Sequence, residues 1–370
     1  MLALQALGTA ARADLVPERR RDYYARAANE YLVVPAVASL PGLGVFVGVI
    51  GSAANIQGTG TDAAVAVAES VSGSDIHIQA LDARELPLIG HNLTLEYQYA
   101  DIKLGNFQAF LPGRNSPNFT IPVTAEFHVQ GVRPTVHLWE RRINVTYSLS
   151  YFDGFNFDSD GNQVATRNYG AATTLALDFT DDVINPLKGV RLDYRTSLQP
   201  PSFYPWGAPT SSGNLVTSSD KVQVETYTLT GYLPATDRLD LVGDAEFGRA
   251  IGGDPNQIVS GGSPPLRGYA GGRWSDRYSI FGAAEARYTV PVNRMIDVAG
   301  LAHGLLEGLQ GAVFYEIGQV SPTNNDLLYE DMHADYGIGL RAVFQSIILR
   351  FDIAIGSEGA QTSLTINQPF

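Results

Sequence analysis

Apolar and polar residues alternate with a period of two in segment after segment of this 370-residue chain. In residues 143–151 the odd-numbered positions are apolar or aromatic, and the even-numbered positions are Asn, Thr or Ser. The same alternation occurs in 93–99 and in 190–195. Because successive side chains of a strand point to opposite faces, this pattern predicts strands with one apolar face and one polar face. The fold class is therefore predicted to be all-β.

Turn-rich breaks divide the chain into about sixteen predicted strands. These segments lie near 43–51, 63–71, 75–84, 91–101, 104–110, 126–139, 142–152, 166–179, 188–198, 221–232, 238–248, 278–290, 308–318, 335–345, 346–356 and 361–370. The composition does not change after residue 33 in a way that would mark a second domain.

Alternation alone does not say which face of each strand meets water. A soluble sandwich buries its apolar face, whereas a membrane barrel turns that face outward. The segments are about ten residues long, which is the length that a tilted strand needs to cross a membrane. The last segment places Leu364, Ile366 and Phe370 on one face, and a terminal aromatic residue is typical of bacterial outer-membrane barrels. These features favour the barrel, with a soluble all-β protein as the alternative.

The first 32 residues are predicted to precede the barrel. Residues 1–13 are mostly apolar and end on small residues, and they resemble the tail of a secretory signal peptide. Residues 14–32 are predicted to be a short, helical periplasmic segment, and the barrel domain is predicted to cover 33–370. The uncharged stretch 31–54 is long enough for a transmembrane helix, but its prolines would break that helix, and the sequence favours a strand from Leu43 onward.

Composition excludes several classes of function. The chain has 25 Lys and Arg against 38 Asp and Glu, a net charge of −13, which argues against nucleic-acid binding. It has no cysteine, which excludes disulfides, thiolate metal sites and a cysteine nucleophile. No H-E-x-x-H, G-x-S-x-G or P-loop motif is present. The sequence therefore predicts a protein that is not an enzyme and that uses no cofactor and no metal.

One long segment, 261–294, carries the most specific signal. It contains a Gly-Gly pair, then Leu266-Arg267-Gly268-Tyr269, then a Glu-x-Arg-Tyr sequence over 285–288. It resembles the inward-folded loop and following strand of the outer-membrane assembly-factor superfamily. That superfamily includes the BamA- and TamA-like insertases, the two-partner secretion transporters and the bacterial surface antigen barrels. Its loop motif is VRGF or VRGY, and Leu266 here replaces the valine.

Other segments resemble the same superfamily in the same order. Residues 35–48 resemble its first strand, and 181–189 resemble its D-x-x-x-NP-x-x-G signature. Residues 313–318 resemble its F-x-D-x-G strand, with Glu316 in place of Asp. Residues 336–356 resemble its G-x-G-L-R and R-x-D strand pair, and 363–370 resemble its last strand. The resemblance therefore runs from about residue 33 to the end.

The resemblance implies a 16-stranded antiparallel transmembrane β-barrel with a loop folded into its lumen. Arg267 is expected to reach the strand that carries Phe314, Glu316 and Gly318, which would latch the loop. The last strand, with Leu364, Ile366 and Phe370, is expected to pair with the first strand, which carries Gly44 and Gly48. Whether that seam opens sideways stays undecided at this point.

The resemblance also implies a location and a function. The protein is expected to be integral to the outer membrane of a Gram-negative bacterium, and to insert proteins into that membrane or move them across it. Expected partners are outer-membrane lipid, client outer-membrane or secreted proteins, and the barrel assembly machinery for its own insertion. The segment before residue 33 is too short for one of the periplasmic POTRA domains that usually precede such barrels. The alternative is a passive porin-like channel or a surface antigen without assembly activity.

Overall fold

The structure of this protein is a computed structural model. It describes residues 26–40, 44–71, 76–110, 113–115, 120–157, 163–199, 222–252, 265–324 and 331–366. Within these ranges the only helical element is a 3₁₀ turn, Ile56–Gly58. No described helix is long and apolar enough to cross a membrane.

Sixteen strands form one sheet in which every strand pairs antiparallel with its neighbours in sequence. They are β1 (Glu30–Leu40), β2 (Gly44–Ala54), β3 (Asp62–Ser70), β4 (Ile76–Ile89), β5 (Leu93–Phe110), β6 (Thr120–Leu138), β7 (Ile143–Phe157), β8 (Gln163–Asp178), β9 (Gly189–Gln199), β10 (Val222–Pro234), β11 (Leu239–Gly252), β12 (Tyr278–Val298), β13 (Ala302–Ser321), β14 (His333–Phe344), β15 (Ile348–Gly356) and β16 (Gly359–Ile366). The all-β, antiparallel prediction is confirmed.

The sheet closes on itself through a short ladder between β1 and β13. Tyr31 faces His303 and Leu32 faces Ala302 across this ladder. The closure makes a barrel of the thirteen strands β1–β13, and β14–β16 continue the sheet outside that ring. β1 and β16 lie side by side, with some Cα atoms within 8 Å, but no ladder joins them within the described ranges. The predicted pairing of the last strand with the first is therefore not how this sheet closes.

The two faces of the sheet are inverted relative to a soluble protein. Along β13, the apolar side chains of Val313 and Tyr315 are 58% and 50% exposed, whereas Phe314 and Glu316 are 5% and 0% exposed. Exposed valine, leucine, isoleucine and tyrosine side chains occur in the same alternation on most strands, and charged residues are buried on the other face. The sheet therefore presents an apolar exterior and a polar interior.

The number of predicted strands equals the number observed because two errors cancel. The sequence analysis missed β1 as a separate strand, and it divided β5 into two segments, 91–101 and 104–110. The apparent break in β5 is a β-bulge, at which the pairing with β6 shifts register between Leu104 and Phe107. A bulge interrupts the two-residue period without ending the strand, so the pattern resembles a turn.

Pro35 lies within β1, although the sequence analysis used it only as an argument against a transmembrane helix and began the first strand near residue 43. Val33 donates its backbone N–H to Leu301 on the β13 side. Residue 35, two positions along, points its nitrogen to the same side, beyond the point where the β1–β13 ladder has ended. No ladder hydrogen bond is lost, which is the position in which a strand tolerates proline.

This extra strand corrects the predicted seam. Gly44 and Gly48 lie in β2, not in the first strand, and they face Leu40 and Ala36 of β1. Ile366 pairs with Leu349 of β15, and Phe370 lies outside the described residues. β1 begins at Glu30, so residues 30–32 are strand rather than part of the predicted helical segment 14–32. The predicted signal-peptide remnant, 1–13, and the first part of that segment lie outside the described residues.

A cysteine pair tests the β1–β13 closure. Leu32 and Ala302 are opposite each other, and the hydrogen bond from Val33 to Leu301 makes them a non-hydrogen-bonded pair. Such pairs have Cα atoms about 4.5 Å apart, which suits a disulfide. Because the chain has no cysteine, the double variant Leu32→Cys/Ala302→Cys should form one intramolecular disulfide, seen as a mobility shift on a non-reducing gel. If both thiols stay free to alkylation in the folded protein, this closure is wrong.

Candidate functional site

Residues 265–277, which lead into β12, lie against the polar face of the sheet. Hydrogen bonds from this segment, here called the motif loop, reach Glu316 on β13, Asp335 on β14 and Asp352 on β15. Leu266, Tyr269 and Trp274 of the motif loop pack with Phe281 and Val320 in one buried cluster. The motif loop is therefore held by both polar and apolar contacts.

Arg267 contacts carboxylates on three strands. Its backbone N–H donates to Glu316 Oε2 at 2.8 Å, and its Nε donates to Glu316 Oε1 at 2.6 Å. Its Nη1 donates to Asp352 Oδ2 at 3.1 Å, and its Nη2 lies 3.0 Å from Glu285 Oε2. The guanidinium also lies over the ring of Phe314, with its central carbon 3.4 Å from the ring centroid. One side chain thus joins β12, β13 and β15.

The charge of Arg267 is stabilised by these carboxylates. Its side chain is only 9% exposed, and those of Glu285 and Glu316 are fully buried. Burial opposes the charged form, but the carboxylates of Glu316, Glu285 and Asp352 outweigh burial and raise the pKa of Arg267 above its ordinary value. Arg267 is therefore a permanent cation at the centre of this site.

Three further arginines surround the same carboxylates. Glu285 Oε1 accepts hydrogen bonds from Arg287 at 2.5 Å and from Arg341 at 2.8 Å. Arg350 Nε lies 3.0 Å from Asp352 Oδ2. These three arginines and the two carboxylates that they contact all belong to strands and are buried on the polar side of the sheet. The site is therefore an extended ionic network rather than a single ion pair.

Two glycines allow the rest of the motif to approach the sheet. The N–H of Gly268 donates to Asp335 Oδ2 at 2.7 Å, and a Cβ at position 268 would lie 2.6 Å from the Cβ of Asp335. The ring of Tyr269 lies directly above Gly356, where a Cβ would approach ring atoms to 2.5–2.9 Å. The Tyr269 hydroxyl donates to the carbonyl of Ala334 at 2.9 Å. The close contact between the motif loop and the sheet therefore requires glycine at positions 268 and 356.

The end of the motif loop packs against the start of β14 and the turn after β15. Trp274 stacks on His333 with ring centroids 3.6 Å apart. Arg273 Nη2 lies 2.8 Å from Glu358. The N–H of Gly113, between β5 and β6, donates to the carbonyl of Ser275 at 2.9 Å. The motif loop is thus fixed over its whole described length.

The structure brings together most of the residues predicted as the loop motif and its partners. Leu266, Tyr269 and Phe314 are buried, and Arg267 contacts both Phe314 and Glu316. Gly318 lies in the same strand as Phe314 and Glu316, and its backbone pairs with Phe281 of β12 and His333 of β14. Of the predicted seam residues, Leu364 and Ile366 lie on β16, beside the β15 strand that carries Asp352, whereas Gly44 and Gly48 lie on β2.

Sequence reasoning did not assign three of the carboxylates that contact the motif loop, Glu285, Asp335 and Asp352. Two of them carried a signal: Glu285 and Asp352 each lie two residues from an arginine on the same strand face. Such spacing indicates an ion pair on a polar face, but it does not show which loop lies above it. Asp335 carries no comparable signal.

The polar face also lines open space. A cavity of 590 Å³ is bordered by side chains from β5 to β11, among them Glu96, Arg133, Asp193, Arg195 and Glu246. Side chains from seven consecutive strands, with charges of both signs from β5, β6, β9 and β11, meet around one volume, so this face is concave. Within the described residues no group of acidic and histidine side chains is placed to hold a metal ion.

No family profile and no curated protein matches the chain. Two solved structures are similar in fold: CdiB from Acinetobacter baumannii (14% identity, TM-score 0.54, 92% of this chain and 59% of that chain) and CdiB from Escherichia coli (13%, 0.53, 91% and 61%). BamA from Haemophilus ducreyi lacking POTRA domains 1–3 has 12% identity and a TM-score of 0.49, over 91% of this chain and 68% of that chain.

This chain therefore spans about three fifths of the length of the two CdiB chains. At such identity the similarity is one of fold, and the fold is that of an outer-membrane-type β-barrel.

Two glycine variants test the close contact between motif loop and sheet. Gly268→Ala places a Cβ against Asp335 and against the backbone nitrogen of Gly356, and should destabilise the barrel by about 1–3 kcal/mol. Gly271→Ala is the matched control, because nothing lies within 4 Å of its added Cβ, and its effect should stay below about 0.5 kcal/mol. Urea unfolding of the refolded barrel measures both. Equal stability of the two variants would show that the motif loop does not lie against β14.

Proposed function

We propose that this protein is an outer-membrane β-barrel that inserts client proteins into the outer membrane or moves them across it, without catalysis and without a cofactor. The observation that carries the proposal is the motif loop, whose buried Arg267 contacts carboxylates from β12, β13 and β15. The order of the sequence motifs and a fold similar to that of the CdiB barrels support it. The chain's own insertion would require the barrel assembly machinery.

The exposed apolar face supports a location in the bacterial outer membrane. Side chains such as Leu149, Tyr227 and Val313 are 37–58% exposed on the outside of the sheet. In water so much exposed apolar surface would cause aggregation, whereas lipid is a suitable solvent for it. Outer-membrane lipid is therefore the first partner of this barrel.

In the membrane, β16 is proposed to lie against β1 and to complete a wall of sixteen strands, with the motif loop inside the lumen. The two strands are adjacent, and Leu32 and Ile366 belong to the same apolar cluster. Among the residues that the structure describes, neither strand has a ladder partner along this side, apart from the contact of Tyr31 and Leu32 with β13. Unpaired strand edges bind extended segments of other chains, so this boundary is where a client strand would pair.

A passive channel is the second candidate, and the cavity of 590 Å³ on the polar face favours it. A barrel whose polar interior opens to solvent conducts ions or small solutes without any client. In that case the motif loop would restrict the pore rather than serve protein assembly.

Depletion of the protein from its native bacterium, followed by quantitative proteomics of the outer membrane and the secreted fraction, separates these functions. Loss of many barrel proteins is expected for an insertase, and loss of one or two proteins for a dedicated transporter. Expression of the wild-type chain should restore them, and expression of the Arg267→Ala variant should not. If both fractions are unchanged by depletion, the assembly function is wrong and the passive channel or surface antigen is favoured.

A further inference from the structure

Three buried arginines form a row on the polar face, next to the carboxylates that hold Arg267. Arg341 on β14 and Arg350 on β15 are directly opposite each other in the ladder. Arg287 on β12 reaches the same place from the other side, through its contact with Glu285. Their exposed fractions are 2%, 9% and 1%. Like charges directly opposite each other destabilise a sheet unless another group offsets them.

The carboxylates in contact do not satisfy these arginines. Among the described residues, Nη1 and Nη2 of Arg287, Nε and Nη1 of Arg341 and Nη1 of Arg350 have no hydrogen-bond partner. Glu285 and Asp352 are shared between these three side chains and Arg267. Within the described part of the chain, two carboxylates thus serve four guanidinium groups, of which only Arg267 has a further carboxylate, that of Glu316. Buried donors without partners are rare in proteins because each has lost its hydrogen bonds to water.

A neighbouring hydroxyl and an open volume complete the arrangement. Thr365 on β16 is opposite Arg350, and its buried hydroxyl has no partner among the described residues. Thr365 also lines a cavity of 560 Å³ that extends to the polar sides of β3 and β4. Thr365 therefore lies between that cavity and Arg350 at the end of the arginine row.

We propose that Arg287, Arg341 and Arg350, with the hydroxyl of Thr365, bind a small oxyanion, a phosphate or a carboxylate. An oxyanion offers several lone pairs in the plane of a guanidinium fork, and arginine binds such groups through paired N–H donors. Its negative charge would offset the repulsion between Arg341 and Arg350, and its oxygens would satisfy the free donors.

A bound oxyanion would also have a structural consequence. It would connect β12, which is one of the thirteen strands of the ring, to β14, β15 and β16, which do not belong to that ring. Arg267 itself joins β12, β13 and β15, and Arg341 already links β14 to Glu285 on β12, so the strand that the oxyanion would add through Thr365 is β16. The oxyanion site would therefore stabilise the last strands of the sheet independently of any client, so this inference does not depend on the proposed function.

The test uses the full-length barrel refolded in detergent micelles. Sodium phosphate or sodium acetate replaces sodium chloride at constant ionic strength, and thermal unfolding is followed by tryptophan fluorescence. We expect a saturable rise in the unfolding midpoint with phosphate, with acetate, or with both, because a ligand that binds only the folded state stabilises it. Broadening of the ³¹P resonance of inorganic phosphate by the wild-type protein measures binding directly.

Two variants and one control locate the site. Arg350→Gln and Arg341→Gln should each weaken phosphate binding at least tenfold and abolish the rise in the midpoint. Arg191→Gln is the control, because Arg191 is also bonded to a carboxylate two residues along its strand, Asp193, but is 47% exposed and lies on β9, three strands before the β12 strand of Arg287; it should bind as the wild type does. If neither anion binds saturably to the wild type, or if all three variants lose binding equally, the proposal is wrong. The wild-type titration decides this even if a variant fails to fold.

Discussion

The rest of this structure depends on the contacts between the guanidinium of Arg267 and three buried carboxylates. Glu285, Glu316 and Asp352 come from three different strands, and all are buried on one face. Three carboxylates so close together would repel each other, and their burial in low-dielectric surroundings costs the hydration of their charges. A buried arginine offsets that cost only when its geometry is good. Here the backbone N–H and the Nε of Arg267 bind the two carboxylate oxygens of Glu316, and the guanidinium stacks on Phe314. The motif loop and the strands beneath it therefore require each other.

The same polar network is consistent with the inverted character of the sheet. Because the apolar side chains face outward, the interior cannot be held together by a hydrophobic core, and ion pairs, hydrogen bonds and small apolar clusters take that role. The apolar contacts that do exist inside lie where loops and turns meet strands, as between Leu266, Trp274 and Val320. Glycines at 268 and 356 bring backbone and aromatic rings into contact there. Closure of the ring at β1 and β13 leaves the last three strands joined to the ring by the ladder between β13 and β14 and by this interior network.

Much of this fold could be predicted from the sequence, because the two-residue period reports directly which residues share a face of a strand. The period could not distinguish a bulge from a turn, so β5 was divided into two predicted strands. It also did not show that Pro35 lies in a strand, because the effect of a proline there depends on the position of the neighbouring strand. Closure depends on which edges meet in space, and the pattern along one strand contains no such information. In the site, Arg267 and Phe314 could be predicted through motif resemblance. Asp335 could not, since its partner is a backbone N–H of a distant loop.

A double-mutant cycle between Arg267 and Glu316 tests the central claim most directly. The unfolding free energies of the wild type, Arg267→Met, Glu316→Gln and the double variant would be measured by urea titration of the barrel in lipid bilayers. If the network around Arg267 holds the motif loop to the sheet, the two substitutions should be strongly non-additive, with a coupling free energy of about 1–3 kcal/mol. Additive effects, with a coupling below about 0.3 kcal/mol, would contradict this account, because they would mean that the two side chains contribute to stability independently.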